Sequence, residues 1–131
     1  MSEKRDAMRE TIKAADDIRR RVVLVPEWGN TEVEVRGLTT YQRSDLTEKS
    51  RLGDENVDTR IFFPSIVIMT THVPETGEAL FVAEDVDWLN GKSAAATGMI
   101  ATVALEISGL SKEEVAKIKK GFDATPKKDS T

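Results

Sequence analysis

Few residues in this chain have the types and spacing that catalysis or metal binding requires. His72 is the only histidine, and there is no cysteine, so disulfides and thiolate metal sites are excluded. Because no second nitrogen or sulfur ligand lies near it, we interpret His72 as a helix-end or loop residue. Ser65 and Ser93 lack the nucleophile-elbow pattern that supports a Ser-His-Asp triad. We therefore expect a protein that is not an enzyme.

Three carboxylates lie close together in the sequence, at Glu84, Asp85 and Asp87. Calcium prefers oxygen ligands, but this spacing lacks the glycine and the distal glutamate of a calcium loop. We interpret the cluster as the acidic start of a short helix over residues 83–89, where negative charge is favourable. The sequence also contains no glycine-rich phosphate loop. We expect neither a metal nor a cofactor.

The composition limits the classes of partner. The 131 residues suit a single domain, and the net charge of −4 argues against a dedicated nucleic-acid binder. The basic run at residues 19–21 is interpreted as a solvated helix end; a nucleic-acid patch is the alternative, but no aromatic residues are interleaved with it. The longest apolar run, residues 61–69, is far shorter than the ~20 residues that span a bilayer. The charged N-terminus lacks the apolar core of a signal peptide. We expect no membrane and no nucleic-acid partner.

The strongest helix signal runs from Ser93 to Gly109. Apolar residues recur there at steps of three and four, and Gly109 is placed to end the helix in the left-handed conformation. Its other flank carries small residues, including Gly98, together with Leu105. Since a mid-helix glycine costs roughly 1 kcal/mol against alanine, Gly98 suggests close approach by another backbone. That backbone belongs either to this domain or to a partner.

The N-terminal part predicts a helix and then a β-hairpin. Residues 5–19 predict a charged amphipathic helix with a thin apolar stripe that includes Met8 and Ile12. We expect this helix to pack loosely, or to dock on a partner or a second copy. Residues 22–38 change to an alternating pattern around Gly29-Asn30, a hairpin signal. Trp28, near the turn, is either a cap over the apolar face or an exposed anchor for a partner.

The remaining segments predict a mostly helical C-terminal half. Thr39 and Gln42 fit a capping box that begins a helix ending near Lys49 or Leu52. Residues 59–73 have the composition of a strand, yet Pro64 also fits the first turn of a buried helix, and the residues alone leave both open. A second capping box at residue 111 predicts a helix to residue 122, which forms a helix-turn-helix pair with the helix at 93–109. We expect a single α+β domain over residues 1–122 and a disordered polar tail over residues 123–131.

Two blocks of sequence resemble a known family. They are VPEWGNTEVEVRGLTTYQRSDL at residues 25–46 and VPETGEALFVAEDVDWLNGKSAAATGMIATVALEISGLSKEEV at residues 73–115. In this order they resemble the short tail assembly chaperones of long-tailed, siphovirus-type bacteriophages, especially those of actinobacterial hosts. The shared features are packing and turn motifs rather than chemical signatures. The resemblance favours a helix over residues 60–72.

The resemblance implies a function. Such chaperones bind the long, helical tape measure protein and keep it soluble while tail tube subunits are recruited. They act in the host cytoplasm and are absent from the mature virion, and many have a longer frameshifted form that contacts the tail tube protein. We expect a homo-oligomer, and our candidate partner-binding residues are Trp28, Gly98, Leu105, Met8 and Ile12. The alternative is a structural virion protein of the head-tail connector or tail terminator type.

Overall fold

The structure is a computed structural model of the chain and describes residues 2–52, 56–110, 112–113 and 116. It has the predicted α+β architecture: an N-terminal helix, an antiparallel hairpin and a mostly helical C-terminal half. The helices are α1 (Glu3–Ala14), α2 (Thr40–Lys49), α3 (Thr59–Thr70), α4 (Val86–Leu89) and α5 (Ala94–Ile107), and the strands are β1 (Arg20–Val25), β2 (Thr31–Arg36), β3 (Arg51–Leu52), β4 (Asn56–Val57) and β5 (Thr71–His72).

The main sheet has three antiparallel strands in the order β1-β2-β5. Side chains alternate across it, so Val25, Val33 and Val35 face inward and are buried. Helices α3 and α5 pack against this inner face and against each other. The hairpin is therefore covered by helices on one side, as a two-stranded ribbon requires for stability in water.

The start of β1 corrects two predictions. The N-terminal helix ends at Ala14 rather than at residue 19, and Arg20 and Arg21 belong to β1 instead of a helix end. Arg21 lies opposite Val35 and forms an ion pair with Glu106 of α5 at 3.5 Å. The β-branched residues that follow favour an extended chain, and pairing with β2 extends that conformation back to Arg20.

Residues 59–70 form a helix, although their composition favours a strand. Asp58 caps it, so Pro64 lies inside the helix and not in its first turn. Proline has no N–H to donate to the carbonyl four residues earlier, which is that of Arg60. The side-chain amide of Asn90 donates to this carbonyl instead, at 2.9 Å. A residue from outside the helix thus replaces the missing hydrogen bond.

His72 is a strand residue, so its interpretation as a helix-end or loop residue is wrong. It lies opposite Glu34 in the β2–β5 pair, and its Nδ1 is 2.9 Å from the carbonyl oxygen of Thr70. The chain then reverses through a turn at residues 74–77, where Gly77 has a φ of +74°. This pairing places β5 at the edge of the sheet opposite β1.

The predictions for the start of α2 and the extent of α5 are confirmed. The capping box of α2 is present, with Gln42 N–H donating to Thr39 Oγ1 at 3.1 Å and Thr39 N–H donating to Gln42 Oε1 at 3.0 Å. Helix α5 begins after Ser93, whose Oγ accepts from Ala96 N–H, and Gly109 follows its end with a φ of +87°.

The second helix of the helix-turn-helix pair falls mostly outside the described residues. Of its predicted span, residues 111–122, only Lys112, Glu113 and Ala116 are described, and they are helical. The predicted tail at residues 123–131 lies outside the described residues altogether.

Candidate functional site

A cavity of about 410 Å³ opens between the β1–β2 connection, the segment that leads into α4, and the start of α5. Aromatic rings form much of its wall, and we call it the aromatic pocket. Its lining residues are Glu27, Trp28, Phe81, Trp88, Gly91, Lys92 and Ser93. This volume lies within the range of small-ligand sites.

Local backbone geometry places Trp28 in the pocket wall. Pro26 begins a single 3₁₀ turn that ends at Trp28, and its fixed φ suits that first position. Gly29 and Asn30 then take positive φ values of 65° and 54° and return the chain into β2. The ring of Trp28 meets that of Phe81 edge to face, with centroids 6.2 Å apart. The hairpin connection thus presents an aromatic side chain supported by a second one.

Asp85 holds Trp88 in the opposite wall. Its Oδ1 accepts from the indole Nε1–H of Trp88 at 2.8 Å, and its Oδ2 accepts from Val82 N–H at 2.9 Å. The centroids of Trp88 and Phe81 lie 5.8 Å apart. One carboxylate of the acidic cluster therefore orients an aromatic side chain. Within the described ranges, no group of three or more histidine, cysteine, aspartate or glutamate residues is placed to hold a metal ion.

The two tryptophans differ in how their N–H groups are satisfied. Trp28 Nε1 is buried and has no hydrogen-bond partner in the described part of the chain, whereas Trp88 Nε1 donates to Asp85. A buried donor without an acceptor costs about 1–3 kcal/mol. Trp28 is thus an under-satisfied group beside an open pocket.

The sequence left Trp28 as either a cap over the apolar face or an exposed anchor for a partner. Trp28 is partly buried against the core and also lines the pocket. Phe81 and Trp88 were missed as site residues. The available signal was the low aromatic content of the chain, 5%, which makes two aromatic residues within eight positions noteworthy.

Leu105 and Gly98 are seven residues apart and lie on the same flank of α5, but they differ in burial. Leu105 is only 4% exposed and belongs to the hydrophobic core, so it is not on the described surface. The close approach inferred at Gly98 is wrong for the described residues, because no atom among them lies within 4 Å of an added Cβ. The close approach occurs at Gly37 instead, where a Cβ would lie 3.2 Å from the carbonyl oxygen of Ile107.

Met8 and Ile12 lie on α1, which has no buried residue. Their exposed fractions are 56% and 69%. The outer side of β1 is also apolar and exposed, at Val22 and Leu24, which lie opposite Glu34 and Glu32 of β2. The exposed apolar features of the described chain therefore include the aromatic pocket, α1 and the outer side of β1.

The fold is similar to that of a solved phage protein. The structure of the tail assembly chaperone of bacteriophage HK97 superimposes with a TM-score of 0.58, covering 82% of this chain and 99% of that one. The two sequences are 14% identical over this match, so the likeness establishes a shared fold. No protein-family model and no curated protein matches the sequence. None of the helices in the described ranges combines the length and apolar character that a membrane span requires.

Proposed function

We propose that this chain is a bacteriophage tail assembly chaperone that binds the tape measure protein and keeps it soluble while tail tube subunits are recruited. The observation that carries the proposal is the fold likeness to the HK97 tail assembly chaperone, which extends over nearly the whole of that protein. The resemblance of residues 25–46 and 73–115 to short tail assembly chaperones supports the same proposal.

The surface chemistry supports a holding function. A chaperone for a long amphipathic helix needs exposed apolar area, and monomeric soluble proteins rarely expose large contiguous apolar patches. Here the aromatic pocket, α1 and the outer side of β1 together provide several exposed apolar side chains. Holding an extended client calls for several copies of the chain, so we propose a homo-oligomer.

Co-expression with the tape measure protein of the same genome tests the proposal. We expect a soluble complex with many copies of this chain per client, measured by size-exclusion chromatography with light scattering, whereas the client alone precipitates. A client that precipitates equally with and without this chain would refute the holding function.

The proposed location follows from the same function. An assembly factor acts in the host cytoplasm and leaves before the tail is complete. Mass spectrometry of purified particles should therefore find the tape measure protein without this chain. Stoichiometric amounts in particles would favour a head-tail connector or a tail terminator instead.

A further inference from the structure

We propose that the aromatic pocket binds the C-terminal turn of an amphipathic helix in the client, with one large apolar side chain inside the pocket. This inference rests on the proposed function for the identity of the client. Three features of the pocket carry it: its aromatic wall, the unpaired N–H of Trp28, and the pair of opposite charges at Glu27 and Lys92.

The aromatic wall selects an apolar side chain. Phe81 lies between the two tryptophans, with centroids 6.2 Å from Trp28 and 5.8 Å from Trp88. Trp88 is 49% exposed, so a large part of its ring is free to bury against a partner. Tryptophan is among the residues that contribute most binding energy in protein interfaces.

The N–H of Trp28 selects the end of a helix over its middle. Carbonyl groups inside a helix already accept hydrogen bonds, whereas the last four have no partner within the helix. Trp28 Nε1 is a buried donor without an acceptor in the described structure. Since Nε1 is buried, binding requires the indole to turn toward the pocket, where this donor would meet one of those free carbonyls. The hydrogen bond then removes the free-energy cost of leaving the buried N–H without an acceptor.

The charges fit the same helix end. The C-terminus of a helix carries the negative end of its dipole, and basic side chains are enriched in its last turn. Lys92 complements the dipole, and Glu27 complements a basic side chain of that turn. Both residues line the pocket and are exposed, so their charges are available to a partner.

The first experiment uses the full chain and a designed probe. The probe is an amidated 20-residue amphipathic peptide with leucines at helical spacing and a leucine and a lysine in its last turn. In the Trp88→Phe variant Trp28 is the only tryptophan, since the chain has two. We expect the Trp28 indole N–H resonance to move downfield on titration, as formation of a hydrogen bond requires. A control peptide with alanine for the last-turn leucine should bind at least tenfold more weakly.

The second experiment uses variants and the natural client. Trp88→Ala should weaken binding of the probe at least tenfold, and Lys92→Gln about two- to fivefold, the range of a cation at a helix C-terminus. Tyr41→Ala and Lys49→Gln are matched controls on α2, where Tyr41 is 79% exposed, and should leave binding unchanged. All four variants are then co-expressed with the tape measure protein.

The outcomes separate this inference from the proposed function. If the Trp88→Ala chain keeps the client soluble as well as the natural sequence does, the pocket is not the client site although the chaperone function holds. If the natural chain fails with the client but binds the probe at Trp28, the function is wrong and the pocket assignment stands. A probe that binds without moving the Trp28 resonance overturns the assignment of the hydrogen bond.

Discussion

Helices α1 and α5 begin with the same kind of cap, but α5 is largely buried and α1 is exposed. Each starts at a serine cap: Ser2 Oγ accepts from Arg5 N–H, and Ser93 Oγ accepts from Ala96 N–H. Seven side chains of α5 are buried, but none of α1 is. Seven of the twelve residues in α1 are charged, against Glu106 alone in α5. Equivalent caps therefore do not decide whether a helix enters the core.

The difference in burial affects how stable each helix is and whether its apolar side chains are available to a partner. An isolated helix of about 12 residues is marginal in water, and tertiary packing normally supplies most helix stability. Helix α5 has that packing, against α3 and the sheet. Helix α1 buries no side chain in the described chain, so its exposed stripe at Met8 and Ile12 is available to a partner.

The largest effect is expected for Leu105→Asp in α5. It places a charge in the core, and we expect a loss of at least about 3 kcal/mol in the free energy of unfolding, or no cooperative transition. Thermal and denaturant unfolding followed by circular dichroism measures it. Leu105→Met, which nearly conserves volume, should cost less than about 1.5 kcal/mol. A Leu105→Asp chain that stays stable but binds the client more weakly would show that Leu105 belongs to the partner-binding surface.

The next prediction tests whether α3 needs a hydrogen bond from a residue outside the helix. Asn90→Ala removes the donor to the Arg60 carbonyl and should cost about 0.5–1.5 kcal/mol. In a Pro64→Ala background the backbone N–H of residue 64 can supply that hydrogen bond. We therefore expect the cost of Asn90→Ala to shrink there, as a double-mutant cycle in denaturant measures. Equal costs in the two backgrounds would show that Asn90 acts by another contact.

A smaller effect of opposite sign is expected at Gly98 of α5. Gly98→Ala should stabilise the chain by about 0.5–1 kcal/mol, because alanine favours a helix and the described structure leaves room for its methyl group. A raised denaturation midpoint at an unchanged slope is the expected result. Gly37→Ala is the contrasting variant, since its methyl group meets the Ile107 carbonyl at 3.2 Å.

The smallest effect on stability is expected in α1. Ile12→Ala should change the free energy of unfolding by no more than about 0.5 kcal/mol, as is usual for exposed sites. Ile100→Ala, the matched change in α5, should cost about 2–5 kcal/mol. If α1 contacts the client, Ile12→Ala together with Met8→Ala lowers the amount of soluble complex. A stability cost at Ile12 comparable to that at Ile100 would break the contrast between the helices.

Local signals predicted most of the fold. The serine cap and Gly109 bounded α5, the Thr39–Gln42 pair began α2, and alternation around Gly29-Asn30 marked the hairpin. These features act through residues three or four positions apart, or through the φ preference of a single residue. Of the aromatic residues that line the pocket, the sequence singled out Trp28 but not Phe81 or Trp88. Their meeting depends on the path of the chain between residues 28 and 81.

By itself the sequence determined the α+β class, the start of α2, the extent of α5 and the hairpin, because each depends on local pattern or composition. Only the tertiary structure decided the rest. It made residues 59–70 a helix, because that conformation buries their apolar side chains against α5, while Asn90 satisfies the carbonyl that Pro64 leaves free. It buried Leu105 and left space beside Gly98 on the same flank of α5, because long-range packing decides which turns of a helix are covered. It also assembled the aromatic pocket from three separate segments, since long-range contacts bring those residues together.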